Sequence, residues 1–147
     1  MQLAQLNVAK ARYPLDHPNI KDFVDNLDKV NGIAESSDGF VWRLKEESGN
    51  ATNIKVFADP NMIVNMSVWQ DITSLKNFMF ATQHRDFMAR KKEWFEPLKQ
   101  ASYVLWWIAD QHQPTLQEAL ERLEHLRAHG ESDYAFSFKS ANHRAQL

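Results

Sequence analysis

Two asparagines, a glutamine, a serine and a tryptophan stand at alternate positions of two segments that otherwise read as core strand. In "LAQLNVA", residues 3–9, Ala4, Leu6 and Val8 alternate with Leu3, Gln5, Asn7 and Ala9. In "MIVNMSVW", residues 62–69, Met62, Val64, Met66 and Val68 alternate with Ile63, Asn65, Ser67 and Trp69. Strand interiors disfavour Asn, and a buried polar group without a partner costs about 1–3 kcal/mol. If the two segments are neighbours, Gln5, Asn7, Asn65 and Ser67 must face water, one another or a ligand. Asn7 and Asn65 suit a side-chain pair bridging two strands. They equally suit donation to a carbonyl or a developing enolate oxygen. Trp69 closes that face, either anchoring the strand end or pressing on a flat ligand. The expectation is a cavity with this face as one wall.

His84 shares an apolar helical stripe with Phe80, Phe87 and Met88. It is either a packed histidine with one nitrogen bonded to backbone or a general base with a pKa near neutral. Other chemistry is poorly provided for. With no cysteine, disulfides, thiolate metal sites and cysteine nucleophiles are excluded together. Four glycines form neither a GxGxxG nor a P-loop, and no GxSxG or SxxK is present. His125 and His129 have metal-compatible spacing on a helix. They lack a third ligand and lie near a helix C-terminus, where positive charge suits the dipole, so no metal site is expected. Arg43 reads as a solvated edge residue or a carboxylate partner, and the basic face "ARKKEW" as solvated surface.

The elements that must position these residues follow from periodicity. After the first strand and the loop "RYPLDHPN", Pro18 suits a helix start, and Ile20, Phe23, Val24, Leu27 and Val30 form one stripe. "FVWRL" (40–44) reads as a strand, "EESGNAT" as a turn and "IKVF" (54–57) as a short edge strand before 62–69. Asp71 can cap a helix carrying Leu75, Phe78 and Met79 inward. The stripe shifts phase at Phe80, as a break around 81–83 would produce. "SYVLWWIA" (102–109) is a further strand. "PTLQEALERLEHLRAHG" is a helix with a Thr115–Glu118 capping box and a closing Gly130. "YAFSF" (134–138) reads as a last strand. The order is β-α-β-β-α-β plus a C-terminal helix and strand, an α+β, ferredoxin-like pattern in which the first and third strands are central neighbours. The apolar faces of those strands are expected under the helices. Residues 1–138 form a single domain, with 139–147 as a flexible tail.

At 147 residues the chain is one domain long, and 44% hydrophobic with 24% charged is ordinary globular composition. A net charge of −2 offers no field for a polyanion, so no nucleic-acid partner is expected. No apolar run approaches the ~20 residues of a membrane span. "MQLAQLNVAK" has neither the basic lead nor the apolar core of a signal peptide. A cytoplasmic protein without a membrane partner is the expectation.

Three sets of residues carry a resemblance: "QLNVAKAR" on the first strand, the strand-to-helix junction "VNMSVWQDITSLKNFMFATQH", and "RKKEWFEP" with "VLWWI" and "EALERLEHLRAHG". Together, over about residues 3–138, the sequence resembles the dimeric α/β-barrel superfamily. Within it, the likeness is to the antibiotic-biosynthesis-monooxygenase-like branch and an uncharacterised bacterial family there. The resemblance implies a homodimer of ferredoxin-like subunits packed sheet to sheet, with a small-molecule pocket between each sheet and its helices or loops. It implies a monooxygenase-like enzyme that needs no cofactor and acts on an aromatic or polyketide-like substrate. Asn7, Trp69 and His84 would then be catalytic, with Gln5, Asn65, Ser67, Phe80, Phe87 and Trp106 binding substrate. Haem-degrading members use residues matching Asn7, Trp69 and His84, so the alternative is a haem protein with His84 on iron. A third alternative is a non-catalytic binding dimer, which requires Asn7, Asn65 and Ser67 to satisfy one another completely.

Overall fold

The computed structural model describes residues 1–14, 16–44, 61–80 and 90–144, without the side chains of Asp28 and Lys91. Period-two alternation builds β1 (Gln2–Ala11), β2 (Phe40–Arg43) and β3 (Met62–Trp69), followed by β4 (Phe95–Glu96) and β5 (Tyr103–Ile108). All pair antiparallel. β1 is central, with β3 along one edge and β5 then β4 along the other, and β2 lies beyond β3. The order β5-β1-β3-β2 is ferredoxin-like, and its register sets Gln5 opposite Ser67 and Asn7 opposite Asn65.

The helix starts follow local chemistry. A 3₁₀ turn at Pro18–Ile20, whose His17 Nδ1 accepts the Asn19 N–H at 3.0 Å, leads into α1 (Lys21–Glu35). Asp71 accepts the Ser74 N–H at 2.7 Å and caps α2 (Ile72–Met79). A single turn, α3 (Lys91–Trp94), precedes β4. Thr115 Oγ1 accepts the Glu118 N–H at 3.1 Å to open α4 (Leu116–His129), and Gly130 closes it at φ 78°. Gly39 is also required as glycine: at φ 82°, a Cβ there would lie 2.0 Å from Ser74 Oγ. The chain entering β2 therefore passes close against the start of α2.

The helices divide between the two faces of the sheet differently from the sequence expectation. Right-handed crossovers place α1 and α2 on the same face. That face carries Leu3 and Trp69, which cluster with Ala34 of α1 and Leu75 of α2. The opposite face is apolar throughout, and Ala4, Leu6, Val8, Val64, Met66 and Val68 cluster with Ala119, Leu123 and Leu126 of α4. Each of those six strand residues is at most 5% exposed within the single chain. The apolar strand face thus lies beneath the C-terminal helix, because the crossover helices are committed to the other side.

Two C-terminal expectations also change. "YAFSF" forms one bridge to β5, with Leu105 N–H to Phe136 O at 2.7 Å and Phe136 N–H to Leu105 O at 3.0 Å, not a full strand. The tail expected to be loose from residue 139 packs down through residue 144. Ala141 is buried, the Glu131 carboxylate accepts from Ser137 N–H at 2.9 Å and from the Ser140 hydroxyl, and Arg144 donates to Ser140 at 3.0 Å. The turn at 45–51, the edge strand at 54–57 and the break at 81–83 fall outside the described residues. Among the described residues no helix is long and apolar enough to cross a membrane.

Candidate functional site

Between the polar face of the sheet and helices α1 and α2 lies a cavity of about 450 Å³. Its floor is Gln5, Asn7, Asn65, Ser67 and Trp69, five residues that strand alternation and the β1–β3 register bring to one face. Phe23, Leu27 and Asn31 of α1 and Phe78 and Met79 of α2 form the walls, with Trp94 and Phe95 at one end. The composition is that of a ligand pocket, mostly apolar with a few convergent polar groups.

The floor is joined by hydrogen bonds. Gln5 Nε2 donates to Asn65 Oδ1 at 2.8 Å and to Ser67 Oγ at 2.7 Å. Trp69 Nε1 donates to the same Ser67 oxygen at 2.8 Å. Trp69 is fully buried, stacked on Phe78 at 5.2 Å and edge-on to Phe40 at 5.6 Å. Its indole N–H is committed to Ser67, so Trp69 supports the floor and does not itself hydrogen-bond a ligand. Ser67 is buried, whereas Asn65 is exposed to the cavity. Asn7 lies directly across from Asn65 but is not part of this chain of bonds. Mutual satisfaction of Asn7, Asn65 and Ser67, the requirement of a filled scaffold, is therefore not met.

Charge is kept in pairs around this neutral floor. Arg43 lines the cavity with Nε 2.7 Å from Glu35, and Glu96 lines it with Lys10 at 3.4 Å. Among the described residues no histidine lines the cavity, and no group of three or more His, Asp or Glu side chains is placed to hold a metal.

The four remaining expected site residues sit elsewhere or outside the described residues. The β1–β5 register places Trp106 beside Ala4, on the apolar face, where it is fully buried under α4. Its Nε1 donates to Glu118 at 2.9 Å, and Glu118 also meets His112 Nε2 at 2.8 Å. Burial raises the Glu118 carboxyl, but the hydrogen bonds from His112 and Trp106 outweigh it and hold the group below its ordinary value. Phe80 follows the last turn of α2 and is 66% exposed, while its neighbours Phe78 and Met79 reach the cavity. His84 and Phe87 lie outside the described residues. Sequence reasoning missed Phe23, Leu27, Trp94 and Phe95. The α1 stripe signalled the first two, but only as core.

The ferredoxin-like sheet, its two crossover helices and the cavity between them define an α+β protein of ferredoxin-like fold. The chain belongs to the family described as Domain of unknown function (DUF3291), whose model matches residues 2–147. No curated protein sequence matches it. Rv0793 from Mycobacterium tuberculosis shares the fold at a TM-score of 0.53 and 11% identity, over 77% of this chain and 100% of that one. So does a Nitrosomonas europaea protein proposed as an antibiotic biosynthesis monooxygenase, at 0.53 and 10% identity, over 76% of this chain and 94% of that one. SnoaB, a cofactor-independent oxygenase from Streptomyces nogalater, superposes at 0.49 and 15% identity, over 78% and 98% of the two chains.

Proposed function

We propose that the chain binds a flat, mainly apolar small molecule bearing an oxygen acceptor, and acts on it as a cofactor-free oxygenase. The observation carrying this is the neutral polar floor of a mainly apolar cavity, where the Asn65 amide nitrogen has no acceptor among the described residues. An aromatic or polyketide-like ketone fits that chemistry. Its rings meet Phe23, Phe78 and Trp94, and its carbonyl oxygen meets Asn65, with Asn7 alongside.

Such donors, held in a low-dielectric site, stabilise the enolate formed when an adjacent C–H loses its proton. The carbanion form then adds molecular oxygen. Protonation gives a hydroperoxide, and loss of water leaves a new carbonyl. One O₂ is consumed and one water released, with all the electrons coming from the substrate. His84 is the proposed base. Trp69 holds Ser67 and closes the floor against water.

Oxygen uptake with an enolisable tricyclic ketone tests the reaction in wild type and in the Asn7→Ala, Asn65→Ala and His84→Ala variants. Uptake that falls in Asn65→Ala and His84→Ala supports it. Turnover unchanged in all three removes the mechanism, and binding without uptake leaves a ligand-binding protein. The haem alternative rests on His84, since no histidine lines the cavity among the described residues. A haem titration read by visible absorption, beside His84→Ala, decides it.

A further inference from the structure

We propose that Gln5 is a positioning residue that sets the polarity of the cavity floor: it turns the donor end of Asn65 toward the ligand. The proposal rests on the cavity being a ligand site and adds which ligands it prefers. Two bonds from a single amide nitrogen carry it, Gln5 Nε2 to Asn65 Oδ1 at 2.8 Å and to Ser67 Oγ at 2.7 Å. An amide nitrogen has two hydrogens, and here both point along the sheet instead of into the cavity. Ser67 Oγ is held in turn by the fully buried Trp69, whose indole N–H can only donate. The chain Trp69–Ser67–Gln5–Asn65 therefore runs from an immovable core side chain to an exposed cavity side chain.

An Asn side chain has one acceptor end and one donor end. With Oδ1 occupied by Gln5 and no acceptor for the amide nitrogen among the described residues, the two N–H groups of Asn65 are left for a ligand. The floor is thereby specific for an acceptor, such as a ketone, quinone or enolate oxygen, and discriminates against an N–H or O–H donor at that point. Gln5 exerts this without touching the ligand's polar atom itself.

The test uses three tricyclic probes of nearly equal shape: 9-fluorenone, which only accepts; carbazole, which donates; and fluorene, which does neither. Dissociation constants are read by tryptophan fluorescence at neutral pH. Wild type should favour fluorenone over carbazole by about fivefold to tenfold, the worth of one hydrogen bond. Gln5→Glu places acceptors where the amide nitrogen stood. Ser67 and Asn65 must then donate to it, Asn65 Oδ1 turns outward, and the preference inverts toward carbazole. Gln5→Met, which removes both ends, should bring the ratio close to one while leaving fluorene unchanged.

An unchanged fluorenone-to-carbazole ratio in Gln5→Glu and Gln5→Met overturns the proposal. A ligand-free readout separates this failure from failure of the cavity itself. In Gln5→Glu the Asn65 side-chain amide signal in a ¹⁵N NMR spectrum should move downfield and exchange more slowly with water. If no probe binds wild type but that signal moves, the ligand site is wrong and the Gln5 polarity stands. If the signal stays in place, the polarity assignment is wrong whatever binds.

Discussion

The two faces of one sheet, built from the same strands at alternate residues, have opposite chemistry. One is Ala4, Leu6, Val8, Val64, Met66 and Val68, sealed by α4 of the same chain. The other is Gln5, Asn7, Asn65, Ser67 and Trp69, roofed by α1 and α2 with a cavity left between. Period-two geometry makes this possible, since a one-residue step along a strand crosses from one environment to the other. The dry face has only packing to lose. The wet face holds polar groups whose arrangement is fixed by one another, and there the same strands can serve a ligand. Stability and recognition thus separate across about one backbone's thickness, and substitutions on the two faces should fail in different ways.

The largest effect is expected on the dry face. Leu123→Ala removes a fully buried side chain from between α4 and the sheet, and should cost about 2–5 kcal/mol in denaturant unfolding. Fluorenone affinity of the folded fraction should not change. A variant that lost affinity in parallel with stability would mean that the faces are coupled. The same cover bears on assembly. If the expected homodimer forms sheet to sheet through this face it must displace α4, so a two-chain mass by light scattering should come with α4 open to proteolysis. A two-chain mass with α4 still protected from proteolysis would place the interface on another surface.

On the wet face the effects are smaller and of a different kind. Ser67→Ala leaves the buried Trp69 N–H and one Gln5 hydrogen without an acceptor, and should cost about 1–3 kcal/mol. The loss should be accompanied by a change in tryptophan emission. Asn65→Ala, at an exposed position, should alter stability by no more than about 0.5 kcal/mol. It should still weaken fluorenone binding about fivefold to tenfold. Equal stability losses in the two variants would contradict the division between a supporting Ser67 and a ligand-facing Asn65.

Much of this division was legible before any coordinates. The alternation in β1 and β3 reveals which residues share a face, and four polar groups on one face are costly enough to imply a cavity. What alternation cannot supply is phase between distant strands. "VLWWI" places one Trp on each face, and only the pairing of Ala4 with Trp106 shows that Trp106 belongs to the core and not to the cavity. Phe80 went astray for a similar reason. Its stripe assumes a continuing helix, whereas α2 ends at Met79. The covering helix of the apolar face was also hidden. An amphipathic pattern says that a helix has an inner side but not which of two sheet faces it meets. The Glu118 capping box shows a subtler limit. Its backbone half forms as the motif requires, but the carboxylate turns to Trp106 and His112, partners that adjoin it only in the fold.

That carboxylate gives the faintest expected contrast between the faces. Glu118 sits at the edge of the dry face and Glu131 anchors the C-terminal turn; hydrogen bonds outweigh burial in both and hold their pKa values below the ordinary carboxyl value of 4.5. A depressed folded pKa means that, on acidification, the unfolded chain takes up the proton first. The stabilisation is therefore complete above about pH 4.5 and is lost as pH falls through the lower folded values. Thermal unfolding followed from about pH 6 to pH 3 should show melting temperature falling through that window. Glu118→Gln, which can still accept from Trp106, should make the fall shallower. The cavity floor presents amides and a hydroxyl, none of which titrates there, so the fluorenone affinity of wild type should stay level while its stability declines. An affinity that fell with the same pH profile as stability would show that the α4 edge and the cavity floor respond as one unit.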